Sequence, residues 1–259
     1  MQVTTSYRPQ LSEIKAAQER LKGVITHTPL MKNLTYSEKY GADVFFKRED
    51  LQVVRSYKIR GAHNKITSLK QQQAIKGVVC ASAGNHAQGV AYSCRILGVK
   101  ATIFMPAPTP NQKVEQVKFF GKEWVDVILI GDTFDDAYHL AKEYCTKAQS
   151  VFIHPFDNEL VIEGQGTVGL EVLEDTNSNI DFLFMPIGGG GLASGVSSVF
   201  KQISPQTKLI GVEPQGAPAM QNSIALKENT TLSEIDKFVD GAAVKRVGEK
   251  TFEICKHQL

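Results

Sequence analysis

The stretch "DFLFMPIGGGGLASG", residues 181–195, runs from continuous apolar residues into four consecutive glycines and then into small residues that open a helix. An apolar run without polar alternation is the signature of a strand covered on both faces, the kind found in parallel sheets flanked by helices. Glycine costs roughly 0.5–1 kcal/mol against alanine in regular structure, so a row of them marks a loop that does more than turn. The same pattern repeats outward. Short β-branched runs at 43–47, 77–82, 101–106, 126–131, 151–155 and 208–214 alternate with stretches of helical length at 85–98, 111–121 and 133–145. Pro110 ahead of Asn111, and Gly98 and Gly121 at the far ends, supply helix start and stop signals. The pattern predicts an α/β fold with mostly parallel sheet.

A chain of 259 residues suits one large or two modest domains. No Gly/Ser/Pro linker divides it, and the central units predict a small α/β domain, 71–152, inserted into a larger one formed by 1–70 and 153–259. The final "VGEKTFEICKHQL" (247–259) reads as a helix that would ordinarily lead into a further strand, so the larger domain is expected to be incomplete at its C-terminal end.

Composition narrows the partners. An apolar fraction of 42% with 22% charge is globular, and 29 basic against 27 acidic residues leave only +2. That balance gives no footprint for nucleic acid or an anionic membrane, so a small molecule is the expected partner. The opening "MQVTTSYRPQ" lacks the basic and apolar regions of a secretory signal, and no apolar run approaches the roughly 18 residues of a membrane span. Cys80, Cys94, Cys145 and Cys255 show no C-x-x-C spacing and read as reduced, buried thiols of a cytoplasmic protein. His27, His63, His139, His154 and His257 show no metal-ligand spacing, and Trp124 and Phe119-Phe120 read as packing residues.

Three loops combine into one chemistry. Bare amides at Gly188–Gly191, opening a helix, can converge on a phosphate with the helix dipole behind them. In "CASAGNHAQGVA" (80–91), Ser82, Ala83 and Gly84 leave a strand while Asn85 and His86 begin a helix, offering amide donors to a carboxylate; taken alone, the stretch also reads as an ordinary helix cap. In "KREDLQVVRSYKIRGA" (47–62), Lys58 lies between Tyr57 and Ile59, with Arg55 and Arg60 near. Apolar and cationic surroundings lower a lysine pKa and make it a nucleophile, although most single lysines are merely solvated. A reactive amine, a phosphate cradle and a carboxylate loop together suit a phosphate-bearing Schiff-base cofactor acting on an amino acid.

In these motifs the sequence resembles the fold-type II enzymes of pyridoxal 5'-phosphate (PLP), within them the threonine dehydratase family. The resemblance runs through the chain on "KRED" (47–50), "SYKIRGA" (56–62), "SAGNHAQGVA" (82–91), "PIGGGGL" (186–192), "GVEP" (211–214) and "VDGAAV" (239–244). It implies two open, mostly parallel sheets flanked by helices, as in the tryptophan synthase β fold. It implies that Lys58 holds PLP as a Schiff base and shuttles the Cα proton, with Tyr57 packed near the cofactor in a place usually filled by Phe. Asn85 would bond the ring oxygen, the amides of Ser82, Ala83, Gly84, Asn85 and His86 the substrate carboxylate, and Gly188, Gly189, Gly190, Gly191 and Leu192 the phosphate, with Gly241 lining the cofactor face. The implied reaction converts L-threonine to 2-oxobutanoate and ammonia, and L-serine to pyruvate, through an aminoacrylate. The family setting is cytoplasmic amino-acid metabolism, including isoleucine biosynthesis, in dimers or tetramers.

Departures from the family pattern refine this. Serine racemases of the family carry serine where this chain has Ala83, which has no proton to give, so elimination is favoured over racemisation. Their divalent-cation site uses a Glu, a carbonyl and an Asp; Glu213 and Ala217 match, but Ala219 replaces the aspartate, so no metal is expected. The family's side chain facing the pyridine nitrogen belongs to a segment outside this sequence. Two alternatives stand beside the enzyme: a truncated homologue that binds PLP without turnover, and a nicotinamide dinucleotide binder in which Gly188, Gly190 and Ala193 form G-x-G-x-x-A and Glu213 serves as the ribose acid.

Overall fold

The computed structural model describes residues 7–73, 75–176 and 178–259. Helix α1 (Leu11–Leu21) buries Ile14, Ala17 and Leu21, one stripe at helical spacing. Strands β1 (Leu30–Lys32) and β2 (Phe45–Lys47) pair antiparallel around α2 (Leu34–Tyr40), which is capped by Asn33 and closed by left-handed Gly41. Helix α3 follows (Lys58–Gln71), and after it the chain builds its main sheet.

That sheet joins β3 (Val78–Ala81), β4 (Ala101–Met105), β5 (Val125–Leu129) and β6 (Val151–Phe152), all parallel, in the order β5-β4-β3-β6. Helices α4 (Asn85–Leu97), α5 (Asn111–Gly121) and α6 (Phe134–Lys147) make the crossovers. Side-chain alternation sorts the two faces. Val78 and Cys80 pack toward α3, α4 and α5, while Val79 and Ala81 pack toward Ala137, Ala141 and Cys145 of α6. Both faces of β3 are therefore covered, as its unbroken apolar run predicts. Pairing of β6 ends at Phe152, so only the first part of the predicted strand 151–155 lies in the sheet.

The second predicted sheet is represented by β7 (Phe182–Pro186) and β8 (Lys208–Val212), parallel neighbours joined by α8 (Gly191–Ile203). Here the expectation of two covered faces is corrected. Leu183 and Met185 pack inward, whereas Phe182 and Phe184 are 51% and 63% exposed. An apolar run shows that a strand can be covered on both sides, not that a partner is present. Helices α7 (Glu159–Asp175), α9 (Ala219–Leu226) and α10 (Glu249–Gln258) complete the chain. One stop signal also works differently from its reading. Gly98 is the left-handed cap of α4, but Gly121 still belongs to α5, and Lys122 makes the left-handed turn. Gly121 is needed for closeness instead, since a Cβ there would lie 2.4 Å from Val125.

A buried charge network fixes α3. Arg60, fully buried, donates to Glu171 at 2.6 and 2.9 Å, to Glu49 at 2.8 and 2.7 Å, and to the Thr167 hydroxyl at 3.1 Å. Lys47 adds contacts at 2.8 Å to both Glu171 and Asp175. The "KRED" and "IRGA" motifs are thus two ends of one polar cluster that binds β2 and α3 to α7. Burial lowers the Arg60 pKa, but its bonds to Glu49 and Glu171 outweigh that and raise it. Removing the guanidinium strands buried carboxylates, so Arg60→Met should lower stability by about 3–5 kcal/mol. Urea unfolding followed by circular dichroism reads this; a loss within experimental error would mean that the network holds nothing.

Candidate active site

Strand order places the site. After β3 the chain moves away through β4 and β5, then returns to pair β6 on the other side of β3. Loops leaving the carboxyl ends of β3 and β6 diverge there, opening the crevice in which α/β sheets bind ligands. The β3 loop carries Ser82 to His86, and the β6 exit carries Ile153 to Asp157.

Lys58 is the first residue of α3, directly after Tyr57 at the N-cap position, and it is only partly exposed. Its Nζ donates to the Pro155 carbonyl at 3.0 Å and lies 5.6 Å from the Tyr57 ring centre. Desolvation pushes its pKa down to about 8, and burial likewise pushes the Tyr57 phenol up to about 12. Gly89 lets α4 touch this point: a Cβ there would lie 3.1 Å from the Lys58 carbonyl carbon and the Ile59 nitrogen. The loop at the start of α4 is thereby packed beside the lysine.

In that loop the amides divide. Ser82 donates to the Phe104 carbonyl at 3.1 Å and Gly84 to the Ser82 hydroxyl at 3.2 Å, so these two are already used. The amides of Ala83, Asn85, His86 and Ala87 have no acceptor among the described residues. Within the loop predicted over 82–86 to meet a carboxylate, the amides without an acceptor thus lie mainly toward the helix start. Asn85 is exposed, while His86 is buried and places Nε2 2.9 Å from the Ile153 carbonyl. That contact requires the proton on Nε2. Burial first, then Lys58, lowers the His86 pKa to about 3, so the ring is neutral.

The glycine loop presents the longer donor row. Six consecutive amides, Gly188 to Ala193, have no acceptor among the described residues, and the last three open α8. Such an array at a helix start suits a phosphate. Gly190 is left-handed at φ +93°, and a Cβ on Gly189 would sit 2.2 Å from the Phe156 ring. Leu192 packs into the apolar core behind the loop. Gly241 is exposed with open space around it; its neighbour Ala242 is what approaches Gly188.

The sequence reading missed the β6 exit, "IHPFD" (153–157). Here Ile153 accepts from His86, Pro155 from Lys58, and Phe156 lies against Gly189 and Gly191. Asp157 accepts from the amides of Glu249, Lys250 and Thr251 at 2.9–3.2 Å, capping α10. Thr251 in turn donates to the Gly189 carbonyl at 2.6 Å. The signal was a Pro-aromatic-acid run just past a strand, at the end of a sheet where sites form.

Glu213 has a structural task. Its two carboxylate oxygens accept the Met220 and Gln221 amides, both at 2.8 Å, at the start of α9. Both the ribose-acid and metal-ligand readings would need that carboxylate, and no cluster of three or more His, Cys, Asp or Glu is found among the described residues. The residues present do fit pyridoxal phosphate: a desolvated amine, a free amide row over which a Cβ would intrude, and a second set of free amides at the start of α4.

Comparison with known proteins agrees. The profile of the family described as pyridoxal-phosphate dependent enzyme matches residues 21–259. The biosynthetic L-threonine dehydratase IlvA of Halalkalibacterium halodurans is 60% identical over 250 residues, covering 96% of this chain and 60% of that protein. The processed form of threonine deaminase isoform 2 from Solanum lycopersicum is 41% identical with a TM-score of 0.89, covering 97% of this chain and 74% of that one. Maize serine racemase is 34% identical with a TM-score of 0.92, covering 98% and 75%. The chain spans about three fifths of the length of the curated relatives it matches.

The desolvated amine is directly testable. Labelling of Lys58 by an amine-specific reagent, followed by peptide mass spectrometry, should rise with pH to a midpoint of about 8. Exposed lysines of the same protein should keep rising toward roughly 10.4. A Lys58 midpoint in that ordinary range would show that its site is wet.

Proposed function

The chain belongs to the family of pyridoxal-phosphate dependent enzymes, and from that premise we propose that it acts as an L-threonine ammonia-lyase with Lys58 as its catalytic amine. The observation that carries the reading is this lysine, lowered to about 8 beside a free-amide loop and tied through Pro155 and Phe156 to a second one. When bound, pyridoxal 5'-phosphate supplies an electron sink that makes the Cα proton of an amino acid removable. Gly188 to Ala193 would hold the phosphate with their amides, and Asn85 would donate to the ring oxygen. Ala83, Asn85, His86 and Ala87 would bind the substrate carboxylate.

Lys58 then works as a tethered base at Cα. A pKa near 8 leaves about one tenth of the amine unprotonated at pH 7, and confinement next to Cα supplies the entropic advantage of an intramolecular reaction. Ala83 offers no proton on the opposite face of Cα, which favours loss of the β-hydroxyl over inversion. Threonine would yield 2-oxobutanoate and ammonia, and serine would yield pyruvate and ammonia. The setting we infer is cytoplasmic isoleucine biosynthesis in a homo-oligomer. The same reading keeps 71–152 as a small inserted unit against 1–70 with 153–259, supported by a four-stranded sheet contained in 78–152.

A second reading, cofactor binding without turnover, is favoured by the outward faces of Phe182 and Phe184, which leave the sheet behind the glycine loop uncovered on one side. One experiment separates the two. PLP is added, the protein is reduced with borohydride, and peptides are mapped; 2-oxobutanoate release from threonine is assayed in parallel. The enzyme reading expects an adduct on Lys58, turnover, and a fall of about 10²–10⁴ in rate for Lys58→Ala. An adduct without turnover supports the binder, and no adduct on Lys58 overturns both.

A further inference from the structure

We propose that His154 is a positioning residue that assembles both the lysine and the glycine loop by acting as a hydrogen-bond acceptor at Nδ1. The Nδ1 atom accepts from the amide of Asp157 at 2.8 Å and from that of Phe156 at 3.3 Å. Both bonds point back along the chain by two or three residues, folding 154–157 into a tight turn around one imidazole nitrogen. The turn sets three groups at once: the Pro155 carbonyl on Lys58 Nζ, the Phe156 ring against Gly189 and Gly191, and the Asp157 carboxylate on the first amides of α10.

The ring is itself held. It meets Phe156 edge-on at 4.7 Å between centres, and Tyr138 and Phe152 at 6.3 Å each. An Nδ1 lone pair aimed at two backbone amides requires the proton on Nε2 and a neutral ring. Burial, with Lys142 and Lys58 nearby, keeps the pKa at about 4, so the acceptor persists across the neutral range. This also explains why the sequence pattern assigned the residue nothing: a histidine that only accepts from its own loop has neither ligand spacing nor an exposed ring.

Packing and acceptor roles can be separated, because asparagine places Oδ1 where histidine has Nδ1 but lacks the ring. His154→Asn should keep the turn and lose the aromatic contacts, whereas His154→Leu loses both. The first readout is Lys58 labelling in cofactor-free protein. The midpoint near 8 should persist in His154→Asn and rise by about half a unit or more in His154→Leu, as a loosened turn admits water to the amine. The second readout rests on the functional reading above: PLP affinity should stay within about threefold in His154→Asn and weaken on the order of tenfold in His154→Leu, while both variants melt at a lower temperature. Equal changes in the two variants, or an unmoved Lys58 midpoint in His154→Leu, overturn the inference. If His154→Leu does not fold, His154→Asn carries the test alone, and a shifted midpoint in that folded variant overturns it. Failure of the unaltered protein to bind PLP would overturn the functional reading instead, since the labelling readout needs no cofactor.

Discussion

The hydrogen bond from Lys58 to the Pro155 carbonyl is the contact on which the candidate site turns. It joins the start of α3, which belongs to no sheet, to the exit of β6, which leaves the main one. It is the one hydrogen bond of the amine among the described residues, and it fixes Nζ in a place that burial already keeps dry. The carbonyl is available because the last ladder bond of β6 is the one from the Ile153 amide to Val79 at 2.8 Å, which leaves the residues after Ile153 outside the sheet. Ending a strand early is a loss of sheet hydrogen bonds; here the freed backbone is recovered by side chains from three directions, so few of its polar groups go unmatched.

The lysine end of that contact depends on a different force. Helix α3 is anchored by Arg60, whose guanidinium meets two carboxylates from separate parts of the chain. Apolar packing alone would let a helix slide along its neighbour with little cost, but a bidentate pair has one geometry. Because Lys58 precedes Arg60 by two residues, any shift of the helix along its axis would carry Nζ off the Pro155 oxygen. The burial cost of the charges is exchanged for registry, the best-attested use of buried ion pairs.

Much of this was legible in the sequence where the chemistry sits in one contiguous motif. Gly188 to Gly191, the loop around Asn85, and Lys58 each stand out as candidates because residue type and local order alone mark them. Residues whose role depends on partners far along the chain do not. Phe156 matters because glycines some thirty residues later leave room for it, and Arg60 because Glu171 comes to meet it 111 residues on. At Ser82 and Gly84 a motif shows which amides exist, and only the fold shows that both already have acceptors. The outward aromatics of β7 were misread because an apolar run reports the potential to be covered, and only the fold reports the covering.

The Asp157 cap has a consequence for how the protein comes into being. Its partners on α10 lie 92 to 94 residues further along the chain. A ribosome adding about 5–20 residues per second needs roughly 5–20 s to make that length. During that interval β3 to β6 can already pair, since all their strands are made, while the carboxylate at the sheet's edge still waits for its helix. The nascent chain thus acquires its crevice well before it acquires the contact that braces it. Birth order separates a scaffold that forms early from a site that closes only late in synthesis.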